Sequence, residues 1–315
     1  MRFGRHRAKL QETSGLRAVK FNSLVDVAAL EALIGSAVIL DCRFDLTSPD
    51  AGRQAYLREH IPTARYVDLN RDLSGPVTPS SGRHPLPPPE RLAARLHELG
   101  VGPDTQVVAY DEMNGSIAAR AWWLLRWLGH SPVAVLDGGL KGWIAAGGAL
   151  ESGEAPQIAS ASGASASSAP ALLVSQPDPS AVVTTAELIR AREDPRRRLV
   201  DARAAERFAG TVEPLDPVAG HIPGAINHPY TANLHADGRF LAPAELRRRW
   251  LELLAGSTPA EVIAMCGSGV TACHNLLALE LAGLAGAKLY AGSWSEWIRD
   301  PGRPVERGPA GRAAR

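Results

Sequence analysis

Runs of two to five apolar residues alternate along this chain with longer stretches in which apolar positions return at helical spacing. Val38-Ile39-Leu40, Val107-Val108-Ala109-Tyr110, Leu199-Val200 and Val262-Ile263-Ala264-Met265 have the character of buried strands. Between them the periodicity predicts helices over 118–128, 244–254 and 271–282, and another capped by Thr184 or Thr185 and running to Arg192. Strands separated by helices predict an α/β fold with a parallel sheet flanked by helices. In such sheets ligands collect at the carboxyl ends of the strands.

The pattern is written twice. Asp41-Cys42-Arg43 recurs as Asp201-Ala202-Arg203, and His60-Ile61-Pro62 as His221-Ile222-Pro223. The run 107–111 recurs as 262–266, and Leu136-Asp137-Gly138-Gly139 with Trp143 as Leu289-Tyr290-Ala291-Gly292 with Trp297. Four markers in one order at nearly one offset mean a duplicated domain of roughly 130 residues. Between the copies, 21 of the 30 residues at 151–180 are Ala, Ser, Gly or Pro. That composition buries no core and reads as a linker, with room for a short strand at Ala171-Leu172-Leu173-Val174. The expected division is a basic disordered tail at 1–21, a first domain at 22–150, the linker at 151–180, a second domain at 181–305 and a disordered tail at 306–315.

Composition removes several function classes. The formal net charge of +1 offers no bulk attraction for nucleic acid or an anionic membrane. No apolar run approaches the roughly 20 residues that span a bilayer, and the basic first 20 residues lack the apolar core of a secretory signal. Three cysteines form no disulfide framework, which suits a reducing, cytoplasmic setting.

The chemistry concentrates at Cys266-Gly267-Ser268-Gly269-Val270-Thr271-Ala272, directly after the strand at Val262. A thiol at a strand end, followed by a glycine-rich turn and a helix, sits where backbone amides converge, and they favour an anionic sulfur. A nucleophile so placed can carry a charged group between two substrates. The first copy has Asp111 there, a poor sulfur acceptor, so the expected active site belongs to the second domain alone. A cysteine phosphatase would need Cys-x5-Arg, and position 272 is alanine. A non-catalytic module that only binds or relays the carried group for a partner remains as the alternative to an enzyme. Cys273 and Cys42 read as core, a Cys266–Cys273 disulfide is disfavoured by helical geometry, His60 and His221 read as turn scaffold, and Asp201–Arg203 and Asp41–Arg43 as structural ion pairs. Trp294 and Trp297 read as packing groups.

The duplicated pattern, the single Cys-Gly-Ser-Gly-Val-Thr-Ala loop and the closing Gly292-Ser293-Trp294-Ser295-Glu296-Trp297 resemble the two-domain rhodanese-type sulfurtransferases over about residues 22–305. The loop is similar to that of the mercaptopyruvate-using branch, whereas thiosulfate-using members usually carry Arg-Lys-Gly after the cysteine. The resemblance implies two tandem rhodanese-like domains, sulfur carried as a persulfide on Cys266, and no metal or organic cofactor. It implies a small-molecule donor, mercaptopyruvate or thiosulfate, and a thiol, cyanide or thioredoxin acceptor. It also implies a monomer, since the two domains complete their own cleft. By the same resemblance, Gly267, Ser268, Gly269, Val270 and Thr271 hold the persulfide, and Arg207 grips the donor. The branch usually has a second arginine about nine residues further on, but Glu213-Pro214-Leu215-Asp216-Pro217 contains no base. Animal members pair an Asp and a His of the first domain with the loop serine, and the matching positions here are Asn70, His84 and Ser268.

Overall fold

The computed structural model describes residues 20–112, 114–155 and 175–309. The basic leader up to residue 19, the middle of the linker with the strand expected at 171–174, and residues 310–315 lie outside the described residues.

The first copy contains strands β1 (Leu24–Val25), β2 (Val38–Asp41), β3 (Arg65–Tyr66), β4 (Val107–Tyr110) and β5 (Val133–Leu136). Its helices are α1 (Val27–Leu33), α2 (Ala51–Arg58), α3 (Pro89–Glu98), α4 (Ala118–Trp127) and α5 (Gly139–Ala145). The second has β6 (Arg198–Asp201), β7 (Ile226–Asn227), β8 (Val262–Met265) and β9 (Lys288–Leu289). With these run α6 (Thr185–Ala191), α7 (Ala205–Ala209), α8 (Pro243–Leu254), α9 (Ala272–Leu281) and α10 (Ser293–Trp297). Every strand pairing within the two sheets is parallel. The sheet orders are β1-β5-β4-β2-β3 and β7-β6-β8-β9, and a parallel bridge from Val182 to Leu289 stands where β1 stands in the first copy. The repeat legible in sequence is therefore a repeat of topology.

Alternation within the strands explains their unbroken apolar character. In β8, Val262 and Ala264 face the core shared with the first domain, while Ile263 and Met265 pack on Leu188, Phe208 and Trp297. In β4, Val107 and Ala109 face the shared core, and Val108 and Tyr110 pack on Leu30, Leu140 and Trp143. Each sheet is thus covered on both sides, and one apolar core runs through both copies along α4 and α9. Thr184 caps α6, its side chain accepting from Glu187 N while Glu187 reaches back to Thr184 N, a reciprocal capping box.

The paired motifs serve as scaffold in both copies. Arg43 and Arg203 lie buried against Asp41 and Asp201 at 2.6 and 2.7 Å. His60 stacks on Tyr56 and bonds its carbonyl at 2.8 Å, and His221 does the same with Phe208. Contacts run past the expected domain edges. His60 forms an antiparallel bridge with Glu151, and His221 with Glu306, so each copy is closed by the segment just past its expected end. Gly308 N bonds Ala209 O at 2.9 Å, so the chain around 306–308 is packed rather than frayed. At the other end Lys20 pairs with Asp104, and Phe21 N bonds Gln106. No helix among the described residues is long and apolar enough to cross a membrane.

Candidate active site

Cys266 sits at the carboxyl end of the central strand β8, buried between the two domains. Its sulfur accepts the Gly269 amide at 3.1 Å. Gly269 has φ +77, and a side chain there would collide with the Ala291 carbonyl, so the turn that returns this amide to the sulfur requires glycine. The run closing the chain fixes the loop from behind. Ser293 Oγ accepts from Cys266 N, Trp294 N donates to Cys266 O, and Ser295 N donates to Gly267 O, at 3.1, 3.0 and 2.9 Å. Trp294 and Trp297 are fully buried behind this run, as packing groups.

The first copy shows the same loop with a different occupant. Asp111 accepts from the amides of Gly115, Ile117 and Ala118 at 2.9, 2.8 and 3.1 Å. Its carboxylate fills the cradle that the second copy presents to sulfur.

Ser268, His84 and Asn70 are brought together across 184 and 14 residues of chain. Ser268 Oγ lies 2.8 Å from His84 Nδ1, and His84 Nε2 lies 3.1 Å from Asn70 Oδ1. With the Asn70 oxygen accepting, Nε2 carries the proton and Nδ1 accepts from the serine hydroxyl. Burial, then the Arg83 and Arg120 guanidiniums, push His84 down from 6.5 to about 3, so it is neutral at physiological pH. An asparagine orients this ring without stabilising its cation. Because the folded pKa is depressed, an unfolded chain binds a proton between about pH 3 and 6.5 that the native one refuses, and stability falls as pH drops through that window. Asn70→Asp should return charge stabilisation to His84. Its urea midpoint, measured relative to the parent, should rise between pH 7 and pH 5; a pH-independent difference would contradict this arrangement.

Arg207, which the resemblance makes the donor's grip, is held by two carboxylates. Its Nη2 pairs with Glu213 at 2.7 Å and Asp216 at 3.1 Å, and Nε bonds Glu213 as well. The stretch that lacks a base is the stretch that holds this one. A second guanidinium comes from the other domain. Arg83 reaches Asp216 at 2.6 Å, and its amide is fixed by Ser295 Oγ at 2.9 Å. A side chain at Gly267 would stand 3.3 Å from Arg83 Nη2 and 3.5 Å from Arg207 Nη1 and Nη2. Two guanidinium forks therefore flank the first residue after the cysteine. Sequence reasoning missed Arg83, although it adjoins His84; only docking of the domains places it here.

Val270 is buried and Thr271 half-buried at the entry to α9. Cys42, Cys266 and Cys273 are all free thiols, and burial pushes Cys273 up to about 12. Among the described residues no group of three or more His, Cys, Asp or Glu could hold a metal ion. The chemistry on offer is that of a buried nucleophilic sulfur, an amide cradle, a neutral proton relay and paired guanidiniums.

A family profile described as Rhodanese-like domain matches residues 26–146 and 184–300. A Pseudomonas aeruginosa protein named "Probable 3-mercaptopyruvate sulfurtransferase" is 52% identical over 273 residues, covering 86% of this chain and 92% of its own. The "Putative thiosulfate sulfurtransferase SseB" of Mycobacterium tuberculosis is 41% identical over 297 residues, covering 91% and 98%. Among solved structures, SseA from Escherichia coli, a 3-mercaptopyruvate sulfotransferase with the "Rhodanese" fold, superposes with a TM-score of 0.73 at 34% identity, covering 87% of this chain and all of that one.

Proposed function

The chain belongs to the rhodanese-like family and is a sulfurtransferase, and on that premise we propose that it takes sulfur from 3-mercaptopyruvate and carries it as a persulfide on Cys266. The observation that carries the choice of donor is the meeting of Arg83 and Arg207 beside Gly267, next to a Ser268–His84 pair able to move a proton. A carboxylate spans the two guanidiniums and brings the donor sulfur to Cys266. The Cys266 thiolate attacks that sulfur, the donor C–S bond breaks, and its electron pair leaves with pyruvate as the enolate. The proton once on the donor thiol ends on the pyruvate methyl group, relayed through Ser268 and His84 Nδ1. Gly267, Gly269, Val270 and Thr271 supply the turn around the outer sulfur. A thiol, cyanide or thioredoxin-like acceptor then removes it and restores the thiolate, which makes the kinetics ping-pong.

Thiosulfate needs no proton for its sulfite leaving group and has no carboxylate, so it uses less of this site. The expected kcat/KM ratio favours mercaptopyruvate by at least about tenfold, the worth of one well-placed charge-assisted bond. A ratio favouring thiosulfate would overturn the choice of donor while leaving sulfur transfer intact.

A further inference from the structure

Position 120 interrupts an apolar helical run, Ala118-Ala119-Arg120-Ala121-Trp122-Trp123-Leu124-Leu125, with a charge. Arg120 is 0% exposed. Its Nη1 donates to Gly269 O at 3.2 Å and its Nη2 to His84 O at 3.3 Å, and Nε has no partner among the described residues. Its remaining side-chain partner is the neutral Cys273 thiol, and none of its bonds is to a carboxylate. The other cations nearby are matched, since Arg83, Arg203 and Arg207 face Asp201, Glu213 and Asp216, three against three. A buried unpaired charge is costly, so a guanidinium kept here points to an anion that completes it.

The duplication shows which part of this contact is structural. Arg120 is the third residue of α4, and His274 is the third residue of α9. Each crosses to the other domain's loop and bonds a carbonyl there: Arg120 the Gly269 carbonyl, His274 Nε2 the Asn114 carbonyl at 3.0 Å. Both are fully buried. Burial holds His274 at about 3, so it is neutral. A neutral donor therefore suffices to tie the domains where the loop holds Asp111. The cation stands opposite the loop that holds the cysteine.

We propose that Arg120 is a positioning residue, the buried counter-charge of the anionic sulfur on Cys266, acting through Gly269 from the opposite domain. The inference rests on the reading of Cys266 as the sulfur carrier. The route is short. With no cis peptide among the described residues, the 269–270 peptide is trans, so holding Gly269 O turns the Val270 N–H to the opposite side. The Gly269 N–H already meets the sulfur. The other ionisable groups acting on this sulfur are Cys273, a thiol whose bond to the same carbonyl is 3.4 Å long, and Arg203, already matched by Asp201 and Glu213. Around them stand His84, Arg83, Arg207 and Asp216.

The test separates charge from hydrogen bonding. Arg120→Gln keeps a donor and loses the charge; Arg120→Lys keeps both, so the two differ in charge. Iodoacetamide alkylation of Cys266, followed by peptide mass at pH 7, should be about tenfold slower in the Gln variant than in the parent. The Lys variant should stay within about threefold of the parent. Equal behaviour of the two variants, or a Gln variant matching the parent, overturns the proposal. Failure of Cys266 to gain sulfur from any donor would instead refute the underlying reading.

Discussion

Cys266→Ser is expected to lower sulfur transfer by on the order of 10³-fold or more while leaving the fold intact. A hydroxyl in the same cradle is neither ionised nor able to form a sulfur–sulfur bond, so no step of the transfer survives. The serine sits in a site already built for a small group, tied by Ser293, Trp294 and Gly269, so the melting transition should move little. In the parent, donor treatment followed by peptide mass analysis should add about 32 Da to the peptide holding Cys266, and an acceptor should remove it. Addition at Cys42 or Cys273, with residue 266 unmodified, would break the scheme at its first step.

Arg207→Ala should cost twice, in two measurements. The donor loses one fork, and kcat/KM for mercaptopyruvate should fall by about 10- to 100-fold, or roughly 1.5–3 kcal/mol. The fold loses a cation lodged between two buried carboxylates, Glu213 and Asp216. Removing one member of such a cluster costs about 3–5 kcal/mol when the rest is left uncompensated. Arg203 still meets Glu213 and Arg83 still meets Asp216, so the loss should lie toward the lower end. The double variant Arg207→Ala/Glu213→Gln should regain most of the stability and none of the donor affinity. Recovery of both together would make Arg207 a purely structural ion, with donor binding elsewhere.

Much of this molecule was legible before any coordinate. The strand at Val262–Met265 and a helix cap at Thr184 or Thr185 are local, and local periodicity and cap chemistry expose them; only the structure selects Thr184 and its capping box. The duplication was legible because two copies of one pattern reinforce each other. The two-residue strands β1, β3, β7 and β9 were not, because so short a run carries no period. The closing pairs His60–Glu151 and His221–Glu306 join segments far apart in sequence, and nothing in either partner announces the other. In the site, Cys266 and its loop announced themselves, and the resemblance supplied Asn70, His84 and Ser268. Arg83 and Arg120 stayed hidden for one reason: their purpose exists only once the domains meet. For Arg120 the sequence did hold a clue, a charge inside the apolar run 118–125, which a reading by hydropathy averages away.

The aspartate in the first copy has a consequence for how this protein can evolve. Asp111 is a tethered anion that saturates its loop and can never be handed on. That loop is also one residue longer, with 112–117 before α4 against 267–271 before α9. A cysteine installed at 111 would meet amides spaced for a carboxylate and a neutral imidazole in place of a guanidinium, so that substitution alone is not expected to give a second sulfur site. The duplication is a one-way partition of labour, with one half surrendering turnover for permanence so that the other can afford a vacancy that fills and empties with every cycle.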